Sequence, residues 1–170
     1  MDWSQLLKSH LDEAYRSAEN LMKMVEADDL TWKPSTGENW MTTGQLLHHI
    51  TGSCGSLCKA FVTDDWGAFR PGDDSQETKM PSAEDMVSSG SVTEALTALA
   101  NDKQLALDMI AQAADRFDEA APAPWDPTPI PLCQRLLSLI DHLTSHKAQL
   151  FYYLKLQGKP VNTMHYYGMA

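Results

Sequence analysis

The chain has 170 residues, of which 43% are hydrophobic, and 13 basic and 23 acidic residues give it a formal net charge of −10. This is the composition of an ordinary globular protein, and it excludes wholesale disorder and collagen-like or coiled-coil extremes. The acidic balance disfavours binding to nucleic acid and to anionic membranes, because like charges repel.

The first part of the chain has the apolar periodicity of two long helices. Apolar residues recur at helical spacing over residues 2–27, and a loop is predicted at residues 32–37. The second helix is predicted to begin near Thr42 and to end near residues 63–65. Thr42 and Gln45 fit a capping box, in which the hydroxyl accepts from the Gln45 N–H and the amide side chain reaches back.

A long connection and a third helix follow. Residues 64–90 contain several glycines and prolines, which predict a crossover with a short helical turn at residues 82–88. Ser91 and Glu94 fit a second capping box. The third helix is predicted to run from there to about Asp115.

Prolines precede the last predicted helix, and a glycine follows it. Residues 121–129 are rich in proline and cannot be helical, because proline lacks the N–H donor. The fourth helix is predicted from about Pro131 to Gly158, followed by an aromatic tail at residues 159–170. With no strand signal of any strength, the pattern predicts an all-α four-helix bundle with a long crossover between helices 2 and 3, as a single domain over residues 1–170.

Targeting signals and cysteines indicate the compartment. No segment approaches the ~20 apolar residues that span a bilayer, and residues 1–5 do not begin a signal peptide. The three cysteines, Cys54, Cys58 and Cys133, favour free thiols over a disulfide framework. Cys54 and Cys58 have the i, i+4 spacing of a soft-metal pair, although free cysteines are more often small buried hydrophobes. We expect a cytoplasmic protein.

Three histidines on two helices are candidate metal ligands. His142 and His146 lie four residues apart, so both imidazoles share one face of the fourth helix and can converge on one ion. His49 lies beside the buried stripe of the second helix. Three neutral imidazoles with open positions left on the ion are typical of catalytic metal sites.

A second interpretation of the same histidines stays open. His142 and His146 can form hydrogen bonds to Asp141, Thr144 or Gln149 at the edge of a helical core. His49 can donate to a facing carbonyl, since a buried imidazole needs partners for both ring nitrogens. Residue spacing alone does not decide between a metal site and satisfied core histidines.

Two motifs resemble those of the DinB/YfiT-like family. Trp40 precedes the segment Thr42–Ile50, which reads Thr-Thr-Gly-Gln-Leu-Leu-His-His-Ile, and His142–Gln149 reads His-x-x-x-His-x-x-Gln ahead of Gly158. The resemblance implies a four-helix bundle that holds a divalent metal on His49, His142 and His146. The distance from Trp40 to His49 is one residue longer than usual in the family, which keeps His48 as an alternative ligand.

The resemblance also implies a class of chemistry. The family includes transferases and isomerases that act with low-molecular-weight thiols. We therefore expect a metal-dependent enzyme in which the ion activates a thiol or water to attack a small molecule. Zinc or nickel is the first expectation for the ion, with iron, cobalt or manganese as alternatives. The alternative is a non-catalytic metal-binding or structural protein, and in either case a homodimer is expected.

Three further residues are candidates to support the site. Gln149 lies one turn beyond His146 and can orient a ligand imidazole or contact substrate. Tyr153 continues the same helix face and can line the pocket. His10 is predicted on the inward face of the first helix, as a fourth ligand, a proton shuttle or a hydrogen-bonded residue at the bundle edge.

Overall fold

The computed structural model describes residues 2–67 and 82–170, and the described residues form an all-helical bundle. Much of the predicted crossover, residues 68–81, lies outside the described residues. The helices are listed here in chain order: α1 (Trp3–Met22), α2 (Thr43–Ile50), α3 (Gly55–Thr63), α4 (Val92–Gln112), α5 (Leu132–Leu156) and α6 (Thr163–Tyr166). Two short 3₁₀ turns, Ala27–Thr31 and Ala83–Asp85, lie in the connections.

Four rods make up the bundle, with α2 and α3 together forming the second. Helix α1 packs against α4 and α5, α3 lies against α4, and α2 lies against α5. Apolar side chains from all four rods are fully buried between them, including Leu7, Leu21, Ile50, Ile110, Leu136 and Leu150. In the described parts of the chain, no helix is both long enough and apolar enough to cross a membrane.

The predicted second helix is wrong in one respect, because it is broken at residues 51–54. Helix α2 ends at Ile50, where the hydroxyls of Thr51 and Ser53 donate back to nearby main-chain carbonyls. Helix α3 begins at Gly55, whose N–H donates to the buried carboxylate of Asp102 on α4 over 3.0 Å. The apolar periodicity continues across the break, so the sequence pattern predicted one continuous helix.

Local capping signals placed the start of α2, the start of α4 and the end of α5 well, whereas α1 ends at Met22, five residues before the predicted end at residue 27. The capping box at α2 is confirmed: Gln45 N–H donates to Thr42 Oγ1 over 3.2 Å, and Thr42 N–H donates to Gln45 Oε1 over 2.7 Å. Ser91 caps α4 through the Glu94 N–H, although the Glu94 carboxylate accepts from the N–H of Gly90 rather than completing the box. Helix α5 ends before Gly158, which adopts φ +79° as a C-terminal glycine does.

The end of the crossover, just before α4, lies against the start of α2. The Gln45 amide donates to the carbonyls of Ala83 and Met86. Because its oxygen caps α2 at the same time, one side chain ties the end of the crossover to the helix that carries His49.

The aromatic tail predicted at residues 159–170 contains the short helix α6, which lies against α1.

Candidate metal centre

His49, His142 and His146 converge where α2 packs against α5. One ligand nitrogen from each ring lies within 4.8 Å of the other two, a group that can hold a metal ion. The Nε2 atoms of His49 and His146 are 3.0 Å apart. Helix α2 supplies one ring and α5 supplies two rings one turn apart, so the contact between these helices creates the group.

The spacing of the rings fits a small divalent ion. Two nitrogens each about 2.0–2.1 Å from a tetrahedral ion lie roughly 3.3 Å apart. The His49–His146 nitrogen distance of 3.0 Å is close to that value. Ring centroids are 4.3 Å apart for His49 and His146, 4.6 Å for His142 and His146, and 5.6 Å for His49 and His142. The rings are steeply inclined to one another, with interplanar angles of 85°, 71° and 64° for these pairs, so they meet edge to face instead of stacking.

The surroundings disfavour protonation of His49 and His142. Burial, followed by repulsion from His146, His142 and His48, lowers the pKa of His49 to about 4. Partial desolvation and the neighbouring His146 also lower the pKa of His142. Neutral imidazole is the form that binds a metal, because the coordinating nitrogen needs a free lone pair.

Gln149 and Tyr153 form a hydrogen-bonded chain behind His146. His146 Nδ1 lies 3.1 Å from Gln149 Oε1, and Gln149 Nε2 lies 3.4 Å from the Tyr153 hydroxyl. The Tyr153 hydroxyl in turn donates to the main-chain oxygen of Met41 over 3.0 Å. This chain runs from the candidate ligand to the backbone just before α2.

Two tryptophans enclose Tyr153. The rings of Trp32 and Trp40 meet Tyr153 edge to face, with centroids 5.3 and 6.3 Å away. Sequence reasoning identified Trp40 through its motif but missed Trp32 and the Met41 carbonyl. Trp32 stands in a segment predicted only as a loop, and a main-chain oxygen leaves no signal in a sequence.

His48 and His10 lie apart from the group. The side chain of His48 is exposed, whereas that of His49 is half-buried on the side of α2 that faces α5. The prediction that His10 lies on the inward face of helix 1 is wrong. His10 is exposed, because Leu7 and Leu11 occupy the buried stripe on either side of it.

The cysteines are free thiols, as predicted, and all three are buried. Cys54 and Cys58 lie with their sulfurs 4.0 Å apart. The hydrogen bond to Cys54, with burial, raises the pKa of Cys58. Neither residue belongs to the three-histidine group. Both belong to the apolar core, as small buried hydrophobes do.

Comparisons with known proteins identify the family and the fold of the chain. The family model of the DinB superfamily matches residues 10–150, a range that includes all three histidines. A crystal structure of a candidate member of the DinB family from Exiguobacterium sibiricum 255-15 superposes with a TM-score of 0.67 at 19% identity, covering 97% of this chain and 98% of that chain. Comparison with the curated proteins finds no match. This chain belongs to the DinB superfamily.

Proposed function

We propose that His49, His142 and His146 hold a divalent metal ion at the active site of an enzyme that acts on a small molecule. The observation that carries the proposal is the convergence of three imidazole nitrogens within 4.8 Å from two separate helices. Three imidazoles suit zinc or nickel, and also iron, cobalt or manganese, since geometry and availability decide between such metals.

The number and exposure of the ligands support a catalytic role. Structural zinc sites are closed by four protein ligands, whereas catalytic sites keep a position open for water or substrate. His142 is the most exposed of the three histidines, so the group lies near the protein surface. A small molecule therefore has a short route to the centre.

The chemistry follows from a metal with an open position. When bound, such an ion lowers the pKa of a coordinated thiol or water and supplies a nucleophile at neutral pH. The chain contributes three imidazoles and the hydrogen-bonded support behind His146. We propose a transferase-like reaction of a low-molecular-weight thiol or a hydrolase-like reaction of water, in a cytoplasmic protein that acts on neither nucleic acid nor membranes.

A titration of metal-free protein purified without a histidine tag tests the site. We expect zinc or nickel to bind in a 1:1 ratio, and His146→Ala to weaken binding at least tenfold because one of three ligands is lost. His48→Ala is the matched control, since His48 is exposed next to His49. An affinity unchanged in His146→Ala would overturn the proposal.

Elemental analysis of the purified protein identifies the native metal, and a screen for activity with common thiols tests the proposed reaction.

A second candidate is a non-catalytic role in a homodimer. Tyr152 and Leu156 lie four residues apart on α5 and are 62% and 66% exposed. Met164, Tyr167 and Met169 of the C-terminal tail are also exposed. Large apolar side chains in such numbers favour a protein interface.

A further inference from the structure

A main-chain carbonyl sets the direction of the hydrogen bonds behind His146. A carbonyl oxygen only accepts, so the Tyr153 hydroxyl is the donor in its 3.0 Å hydrogen bond to Met41. A hydroxyl has one hydrogen. The Tyr153 oxygen therefore acts as an acceptor toward Gln149.

The orientation of the Gln149 amide follows from this. Its NH₂ group donates to the Tyr153 oxygen over 3.4 Å, which turns the amide oxygen toward His146 Nδ1 at 3.1 Å. The reverse orientation would set the amide NH₂ against His146 Nδ1 and the amide oxygen against a hydroxyl oxygen that has already donated its hydrogen. The amide therefore has one orientation that satisfies both neighbours.

We infer that the relay Met41–Tyr153–Gln149 holds His146 in the tautomer with hydrogen on Nδ1, which makes Gln149 and Tyr153 positioning residues for the metal ligand. An amide oxygen only accepts, so His146 Nδ1 carries the hydrogen. The lone pair then lies on Nε2, the atom that is 3.0 Å from His49 Nε2 in the centre of the group. As to the metal, the inference rests on the proposed function.

The burial of the relay strengthens the inference. Tyr153 is 2% exposed and is flanked by Trp32 and Trp40, so bulk water does not compete for its hydroxyl. Burial also raises the pKa of Tyr153, which keeps the hydroxyl protonated and able to donate. A metal ligand whose tautomer is already selected binds without having to move a hydrogen between its nitrogens.

Nuclear magnetic resonance of metal-free protein tests the tautomer directly. Long-range ¹H–¹⁵N spectra of ¹⁵N-histidine protein at mildly alkaline pH distinguish hydrogen on Nδ1 from hydrogen on Nε2, and His146→Asn assigns the signal. We expect the Nδ1–H form in the wild type and in Gln149→Glu, which keeps an acceptor oxygen. Gln149→Leu removes that acceptor and should shift His146 toward the Nε2–H form. An Nε2–H wild type, or a Gln149→Leu variant with the wild-type spectrum, would overturn the inference.

Zinc titration of the same variants separates this inference from the proposed function. Loss of a hydrogen-bond partner of a metal-bound histidine typically weakens metal affinity about 10–100-fold, so we expect about tenfold weaker zinc binding in Gln149→Leu. Tyr153→Phe removes the hydroxyl that orients the Gln149 amide, so we expect it also to weaken zinc binding. Tyr152→Phe is its control and should keep the wild-type affinity, because Tyr152 is the exposed neighbour on α5. Equal zinc affinity in Gln149→Leu and wild type would contradict the relay. A wild type that binds none of zinc, nickel, iron, cobalt and manganese would contradict the proposed function, while the spectra still decide the tautomer.

Discussion

The adjacent histidines of α2 differ in exposure because a helix turns about 100° between successive residues. That rotation leaves His48 exposed and brings His49 to the side of α2 that contacts α5. His10 shows the same effect on α1, where the buried stripe passes through Leu7 and Leu11 on either side of it. The chemistry of each histidine is therefore set by its position around the helix.

The lowered pKa of His49 has a consequence for acid stability. Its pKa is about 4 in the folded metal-free protein, against an ordinary value of 6.5 in the unfolded chain. As the pH falls from 6.5 toward 4, the unfolded state takes up a proton that the folded state does not, so acid lowers the free energy of unfolding in this window. Above 6.5, His49 is neutral in both states and contributes no pH dependence.

Urea denaturation at several pH values measures this effect. We expect the unfolding free energy of His49→Asn to fall less steeply than that of the wild type between pH 6.5 and 4, because the variant has no imidazole there to protonate. His48→Asn, at the exposed neighbour, should change the slope less than His49→Asn does, because repulsion from His48 is the smallest of the causes that lower the pKa of His49. Equal slopes for all three proteins would show that His49 titrates normally in the folded state.

At the scale of the elements, the division of the second rod into α2 and α3 depends on a residue of α4. The Asp102 carboxylate accepts from the N–H groups of Gly55 and Ser56 and from the Tyr15 hydroxyl, at 3.0, 3.1 and 2.6 Å. It thereby satisfies amides at the start of α3 that have no partner within the helix. Asp102 is 5% exposed, so these hydrogen bonds lie in the core.

The same junction requires glycine at position 55. A Cβ on Gly55 would overlap the main-chain oxygen of Asp102, which cannot move without displacing α4. We expect Gly55→Ala to lower the unfolding free energy by about 2 kcal/mol or more, in the range of overpacked cores. Gly52→Ala is the matched control, since a Cβ there meets open space, and it should change stability by about 0.5 kcal/mol at most. Chemical denaturation of both variants measures the difference, and equal stabilities would contradict a close approach of α3 to α4.

At the scale of the whole molecule, the acidic bundle exposes apolar side chains at the end of α5 and in the tail. For the proposed homodimer we expect light scattering to give twice the chain mass of 18.9 kDa. Leu156→Glu should shift the mass toward the monomer, because it places a charge among exposed apolar groups. Val87→Glu is the control, because Val87 is 63% exposed near the crossover, far from α5 in sequence. A monomeric wild type would contradict the homodimer.

Much of the fold was predictable because its signals are local. The capping box at Thr42, the cap at Ser91 and the glycine at 158 each depend on residues within a few positions, and these helix ends lie within a residue or two of the prediction. The break between α2 and α3 was not predicted, since the apolar periodicity continues across it and the carboxylate that holds the start of α3 lies 47 residues away from Gly55 in sequence. The predicted position of His10 was wrong because helical spacing was the only evidence that assigned it to the buried face of the first helix.

The sequence by itself determined the all-helical class, most helix ends and the three histidines to consider, because side-chain periodicity, capping residues and motifs are properties of short segments. Only the tertiary structure decided that His49 meets His146, a residue 97 positions away, and that Tyr153 reaches the carbonyl of Met41. The physical reason is that such contacts depend on how α2 and α5 pack. That packing is set by the burial of apolar side chains from several helices together and by main-chain groups, which every residue possesses.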